Sequence, residues 1–263
     1  MIRALYSAAS GMNAQQLNVD NIANNIANAN TSGFKTRRAQ FQDLLYQNLI
    51  QPGAAATQQT TVPTGLQLGL GARAVSNEII FTQGDYTQTN NPYDVVIQGN
   101  GFFQIRRASG DVAYTKSGSF HTNSTGQLVT ANGDLLDPPI TIPQNAQSVT
   151  IASDGTVSFT LPSQSSAQQA GQLQLANFAN PSGLNSLGGN LYQQTDASGD
   201  PIIGPPGGSD GLGTLLQGFT EGSNVSVVQE FINLIVSQRA YEANSKVVKA
   251  ADDMYQQVNN LKQ

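Results

Sequence analysis

Residues 23–35 read ANNIANANTSGFK and combine four asparagines with an apolar spacing that is typical of a helix. Apolar residues recur at seven-residue intervals, with a second set three positions further on: Leu5, Met12, Val19 and Ile26, then Ala8, Ile22 and Ala29. This pattern predicts a coiled-coil helix over about 3–30, with Gly33 as its C-terminal stop. Because asparagine is a poor helix former, we expect support from outside the helix.

A second long helix is predicted near the other terminus, in NVSVVQEFINLIVSQRAYEANSKVV (residues 224–248). Its apolar residues follow alternating three- and four-residue steps, at Val227, Phe231, Leu234, Tyr241, Val248, Tyr255 and Val258. Asn224 or Ser226 would cap the helix, which could extend to Leu261. Two long amphipathic helices are therefore expected to bracket the chain.

Short apolar runs and regular turn signals between the helices predict an antiparallel β domain. The strands are expected at 95–97, 102–106, 128–130, 148–151, 157–160 and 173–176. The predicted fold class is therefore α+β, with the terminal helices pairing as a coiled coil around a central, mainly antiparallel β domain. The expected boundaries are 1–34 and 224–263 for the helical domain, 35–72 for an extended linker segment and 73–223 for the outer β domain.

Residues 46–71, YQNLIQPGAAATQQTTVPTGLQLGLG, carry no charge and include two prolines. Such a segment cannot form its own core, so one interpretation is a flexible linker. The alternative is an extended segment that lies on other subunits, because a solvated linker usually carries some charge.

Composition argues against several functional classes. Charged residues make up 11% of the chain, against about 25% in an average soluble domain. The net charge of −5 argues against nucleic-acid binding, and the small basic group at Lys35, Arg37 and Arg38 is interpreted as a solvated turn. His121 is the only histidine and cysteine is absent, so no catalytic constellation, metal site or cofactor is expected. We expect no usual secretory signal and no transmembrane segment.

The residues 23–35 resemble the N-terminal signature of bacterial flagellar rod and hook proteins, and residues 224–248 are similar to the C-terminal signature of that family. FTQGDYTQTNNPYDVVIQGNGFFQI (81–105) and YTKSGSFHTNSTGQLVTANGDLL (114–136) resemble the family's β domain. Within the family, residues 46–71 are similar to a segment of the members that build the distal rod. NPYDVVI departs slightly from the usual family pattern around its aspartate.

The resemblance implies a structural subunit, not an enzyme, that polymerises into a rigid hollow drive shaft. This shaft would transmit motor torque to the hook and let exported subunits pass. The implied subunit interface comprises Leu5, Met12, Val19, Ile22, Asn24, Asn25, Ile26, Asn28, Val227, Phe231, Leu234, Tyr241, Val248 and Tyr255. An inter-subunit wedge is expected at Gln51, Pro52, Gly53, Pro63, Gly65 and Leu66.

The implied location is the periplasmic rod of the flagellar basal body, reached through the flagellar type III export pathway. The implied partners are further copies of this chain in a helical homopolymer, proximal rod proteins, the hook protein or hook junction, periplasmic and outer-membrane ring proteins, and the export apparatus. Two alternatives stay open at this point. One is another flagellar axial protein, such as a proximal rod or hook-like protein, and the other is a secreted β-domain enzyme or adhesin.

Overall fold

A computed structural model describes residues 2–53, 63–162, 166–208 and 211–260. It has a long helix near each end of the chain and antiparallel strands between them, as expected for an α+β protein. The chain divides into two compact units. Unit 1 contains the described parts of 1–27, 37–79 and 226–263, and unit 2 contains those of 28–36 and 80–225.

Unit 1 consists of two helices and a long β-hairpin. Its elements are α1 (Ile2–Ala27), β1 (Arg37–Asp43), β2 (Tyr46–Ile50), β3 (Leu66–Gly69), β4 (Ala72–Ile79) and α2 (Val227–Asn260). Strand β1 pairs with β4, and β2 pairs with β3, both antiparallel. The hairpin lies mostly in the segment predicted as an extended linker, so this segment is extended but paired with itself.

The predicted ends of the helices need one correction. Helix α1 ends at Ala27, before the predicted end at about residue 30, because the chain turns at Asn28, whose carbonyl accepts the Thr31 N–H at 3.1 Å. Gly33 has φ +72° and donates its N–H to the carbonyl of Glu221 at 2.8 Å within unit 2. For α2, Ser226 is the residue at the cap, since its carbonyl accepts the Glu230 N–H at 2.9 Å.

Unit 2 is a mainly antiparallel β domain. Its strands are β5 (Tyr86–Gln88), β6 (Val95–Gln98), β7 (Phe102–Arg106), β8 (Val112–Thr115), β9 (Phe120–Thr122), β10 (Leu128–Thr130), β11 (Leu135–Asp137), β12 (Ser148–Ile151), β13 (Thr156–Thr160), β14 (Gln168–Gln172), β15 (Leu175–Asn177), β16 (Asn185–Gly188), β17 (Leu191–Gln193), β18 (Ile202–Gly204), β19 (Thr214–Gln217) and β20 (Phe219–Glu221). The six strands predicted from the sequence are confirmed to within two residues at each end.

The largest sheet of unit 2 has the order β16-β17-β8-β7-β11-β10-β9, and β15 pairs with both β7 and β18. Strands β12, β13 and β14 form a second sheet, and β19 with β6 and β20 with β5 form two-stranded pairs. The hydrophobic core lies between these sheets and includes Val95, Phe103, Ile105, Leu128 and Leu175, none of them more than 1% exposed. Buried and half-buried side chains alternate along β13, which is typical of a sheet with one face on the core.

Neither helix among the described residues is long and apolar enough to span a membrane. Among the same residues, the structure brings together no group of three or more side chains that could hold a metal ion. His121 lies exposed in the middle of β9.

Candidate assembly surface

Helices α1 and α2 meet along a row of polar and small residues. Three pairs of facing residues follow one another at seven-residue steps along each helix: Asn25 with Glu230, Asn18 with Ser237, and Gly11 with Asn244. The partners advance in opposite directions, so the two helices are antiparallel. The Asn18 amide donates to the Ser237 hydroxyl at 2.8 Å, which fixes the helices in one register.

Gly11 allows the closest approach in this row. A Cβ at position 11 would lie 2.8 Å from Nδ2 of Asn244, so only glycine leaves room for that side chain as it stands. Glu230 is buried in the same row, and this burial raises the pKa of its carboxyl, although hydrogen bonds from the Asn25 and Asn233 amides oppose the shift. The contact between the helices therefore includes specific polar pairs.

A second face of α1 packs on the hairpin. Ser10 accepts a hydrogen bond at its hydroxyl from the Ala72 N–H at 3.3 Å, and Asn77 donates its amide to the Asn21 oxygen at 2.8 Å. Ala14 is buried on this helix as well. Small and polar residues thus satisfy contacts on two sides of α1, which is the outside support that its asparagine-rich sequence requires.

Helix α2 exposes large apolar side chains over most of its length. The exposed residues are Val227, Val228, Phe231, Ile232, Ile235, Val236, Tyr241, Val247 and Met254. Val228 is 71% exposed and Val236 is 62% exposed. A contiguous apolar surface of this kind marks a protein contact, because soluble monomers rarely leave one in water.

The predicted interface residues differ in exposure. Val227, Phe231 and Tyr241 are exposed on α2, whereas Ile22 is buried on α1. The remaining apolar members are half-buried: Leu5, Met12, Val19, Ile26, Leu234, Val248 and Tyr255. On α2, the exposed set is broader than the predicted stripe and includes Val228, Ile235 and Val236, which the heptad spacing did not select.

The asparagines of the signature also differ. Asn25 is 1% exposed and bonds within the chain: its amide donates to the Arg37 carbonyl at 2.9 Å and its oxygen accepts the Arg37 N–H at 3.0 Å. Asn28 accepts the Thr31 hydroxyl at 3.2 Å, and Asn24 is exposed. Asn25 therefore ties α1 to the start of β1, and we leave it out of the interface proposed below.

The hairpin tip, defined here as strands β2 and β3, is exposed on both faces. Every residue of β2 and β3 is exposed, including Tyr46, Leu49, Ile50, Leu66 and Leu68. Among the predicted wedge residues, Gly65 is half-buried and the others are exposed: Gln51, Pro52, Gly53, Pro63 and Leu66. Since an isolated two-stranded ribbon is marginally stable in water, a further contact surface is expected here.

A buried ion pair in unit 2 was not predicted. Lys35 and Glu221 are both fully buried, with 2.6 Å between Nζ and Oε1. The Lys35 ammonium also donates to the Thr82 carbonyl at 2.7 Å, and Glu221 Oε1 accepts the Gly84 N–H at 2.9 Å. The interpretation of Lys35 as part of a solvated turn is wrong, because its charge is neutralised inside the protein.

Asn224 continues this polar cluster. Its side-chain oxygen accepts the N–H and the hydroxyl of Thr36, both at 2.7 Å, and its amide donates to the Ile80 carbonyl at 2.9 Å. The role predicted for Asn224 as an alternative helix cap therefore belongs to Ser226. The only sequence signal for this buried cluster was Lys35, the one charged residue of 23–35, and the local sequence does not identify its partner.

Comparison with known proteins matches both ends and the centre of the chain. The family "Flagella basal body rod protein" matches residues 5–35, "Flagellar hook protein FlgE/F/G D1 domain" matches 96–159, and "Flagellar basal body rod FlgEFG protein C-terminal" matches 216–261. A protein named flagellar basal-body rod protein FlgG in Caulobacter vibrioides is 50% identical over 262 residues, covering 99% of this chain and 100% of its own.

The chain belongs to the FlgG family of flagellar basal-body rod proteins. Similar proteins of that name occur in Buchnera aphidicola, with 48% identity over 99% of this chain and 100% of the relative, and in Bacillus subtilis, with 39% identity over 100% of both. Lys35 ends the N-terminal family match, and Glu221 and Asn224 fall in the C-terminal one. The buried cluster thus joins residues from the two terminal FlgG-family signatures.

Proposed function

We propose that this chain is a structural subunit of the flagellar distal rod, where copies of it polymerise into a rigid, hollow drive shaft. The observation that carries the proposal is the apolar face of α2, since burying the exposed half of a side chain such as Phe231 or Ile235 stabilises a contact by about 1 kcal/mol. The relatives are rod proteins and not enzymes. The basal body of the flagellum is accordingly where this subunit acts.

In the proposed polymer, α1 and α2 of many subunits pack as coiled-coil layers around a central channel. The exposed side chains of α2 and the half-buried residues Leu5, Met12, Val19 and Ile26 supply the contacts between subunits. The antiparallel pairing of α1 and α2 within one chain presents these side chains in a fixed register, which supports this arrangement.

The uncharged hairpin tip is proposed as a wedge between neighbouring subunits that keeps the tube straight. Its apolar residues are exposed on both faces, and residues 46–71 contain no charge that a contact would have to desolvate. Deleting 46–71 should give curved or flexible polymers in electron micrographs. A second variant keeps the length of the segment and replaces Leu49, Ile50 and Leu66 with serine. Straight polymers from both the deletion and this serine variant would contradict the wedge.

The partners we propose are proximal rod proteins at one end, the hook protein or hook junction at the other, and the periplasmic and outer-membrane rings around the shaft. The subunits would reach the rod through the type III export apparatus. The torque of the motor would then pass along the shaft to the hook.

Electron microscopy of basal bodies from a strain lacking this protein, beside a complemented strain, tests the assignment. A truncated rod without a hook is the expected result. A complete rod that lacks only the hook would assign the chain to the hook instead. Intact basal bodies on motile cells would overturn the proposed function altogether.

The free subunit should have poorly ordered termini, because the exposed apolar face of α2 would be covered only by neighbouring subunits. Hydrogen exchange on verified monomer should show fast exchange at Val19 and Val248, and slow exchange at Ile105 in the core of unit 2. Slow exchange at either helical position would contradict this expectation.

A further inference from the structure

A cavity of about 250 Å³ opens in unit 2 beside a buried lysine. Its lining includes Phe81, Phe102 and Phe178 together with Lys116, Asn100 and Asn177. Lys116 is 4% exposed, and its ammonium donates to the Gly99 carbonyl at 3.0 Å and lies 5.6 Å from the centroid of the Phe102 ring. A cation and three aromatic rings therefore border one opening.

The buried charges near Lys116 do not balance. Glu221 attracts the Lys116 ammonium and Lys35 repels it, and Glu221 is already bound directly to Lys35. Two buried lysines thus share one glutamate at this place, and Lys116 has no ion-pair partner among the described residues. Burial of an uncompensated charge is costly, so an anion at this place would stabilise the structure.

The walls of the cavity indicate what the anion carries. The Phe102 ring meets Phe81 edge-on at 5.2 Å and Phe178 at 5.8 Å between centroids, so it is held in place. Such a wall can contact an apolar group of the ligand, while the Lys116 ammonium binds the ligand's negative charge. Burial lowers the pKa of Lys116 to about 8, so the amine is still mostly protonated at pH 7.

We propose that this cavity binds a carboxylate on an apolar stem, with Lys116 holding the carboxylate and the phenylalanine rings contacting the stem. Two sources offer that chemistry: a free small carboxylate, or an acidic side chain from a second copy of this chain. The binding of a free carboxylate to the isolated chain does not depend on the proposed function; only the second source rests on the polymer.

Nuclear magnetic resonance of the lysine Cε groups in the full chain tests the proposal, with benzoate as the probe and benzamide as its uncharged counterpart. Benzoate should shift the Lys116 signal saturably and raise the pKa of Lys116 above about 8, whereas benzamide should do neither. Equal effects of both compounds, or no saturable shift with benzoate, would overturn the proposal.

Two variants distinguish the contribution of the Lys116 charge to binding from that of the shape of the cavity. Lys116→Met should weaken benzoate binding by about tenfold or more, the loss expected when a charged hydrogen bond is removed. Ala179→Phe changes an exposed residue of the lining and should block the cavity while Lys116 stays in place. The matched control Lys249→Met removes an exposed lysine and should leave binding unchanged. Benzoate binding that persists in Ala179→Phe would contradict the site, even if Lys116→Met fails to fold.

Assembled polymer then identifies the source. If an acidic side chain of a neighbouring copy fills the cavity, the Lys116 signal should have a raised pKa in the polymer and should no longer respond to benzoate. If the ligand is a free small carboxylate, benzoate should bind polymer and isolated chain alike.

Discussion

The two units of this protein treat their apolar residues in opposite ways. Unit 2 buries most of them: its core includes Phe103, Ile105 and Leu175, and Lys35 is buried as well. Unit 1 exposes large apolar side chains along α2 and at the hairpin tip. Its two helices contact each other through asparagine, serine and glycine. We therefore expect unit 2 to be stable by itself and unit 1 to be completed by other chains.

The largest effect is expected from the buried ion pair of unit 2. Lys35→Met should lower the free energy of unfolding by about 3–5 kcal/mol, because Glu221 would be left buried without its cation. Urea unfolding of the isolated chain measures this loss. The matched control Arg38→Met breaks an exposed pair with Glu78 and should cost less than about 1 kcal/mol. Equal losses of unfolding free energy in Lys35→Met and Arg38→Met would contradict the difference between the two units.

Replacing one isoleucine of each unit with alanine should distinguish an effect on folding stability from an effect on polymer assembly. Ile105→Ala should cost about 2–5 kcal/mol of unfolding free energy, because it opens a cavity in the core of unit 2. Ile235→Ala changes a side chain that is 57% exposed and should alter monomer stability by less than about 0.5 kcal/mol. Sedimentation should nevertheless show that Ile235→Ala polymerises at a higher concentration. Unchanged polymerisation would show that α2 meets its neighbours elsewhere.

Gly11→Leu tests the close approach of α1 and α2 in unit 1. The new side chain would occupy the place of the Asn244 amide, so we expect the polymer to lose about 1–3 kcal/mol per subunit in thermal dissociation. Ala9→Leu, at an exposed position of the same helix, is the control and should have little effect. A polymer that tolerates leucine at position 11 would mean that the helices do not keep this contact after assembly.

The smallest effect is expected from pH at Glu230. Its pKa is raised in the folded chain, so the helix contact is strongest below the ordinary pKa of glutamate and weakens as pH rises through the raised value. Glu230→Gln should remove this dependence and strengthen the polymer at neutral pH by about 1 kcal/mol or less. Measuring polymer dissociation from pH 4 to pH 8 tests this prediction. Glu242→Gln, which removes an exposed carboxylate, is the control and should keep the wild-type pH dependence.

Periodicity was sufficient to predict both helices and the strands with strong turn signals. The start of helix α2 was predicted closely, because Ser226 supplies a cap, whereas its predicted end at Leu261 lies outside the described residues. The strands with weak patterns were missed, among them β2 and β3, whose residues are exposed on both faces and so show no alternation. A strand of that kind is specified by its partner across the hairpin, which local sequence does not display.

The candidate site was predictable where it depends on one helix and not where it depends on distant residues. The spacing selected Val227, Phe231 and Tyr241, which are exposed as a contact surface requires. It also grouped Asn25 with Asn24, although Asn25 is used by the Arg37 backbone. The burial of Lys35 could not be predicted, since it depends on a glutamate 186 positions away.

That separation sets the order of events when the chain is delivered one end first. Lys35 cannot be neutralised until Glu221 has arrived, and Thr36 waits for Asn224, so unit 2 closes only when nearly the whole polypeptide is present. A chain that stops short keeps an uncompensated lysine at the place where its first segment should dock. We therefore expect unit 2 to be stable only in copies that extend at least to Asn224.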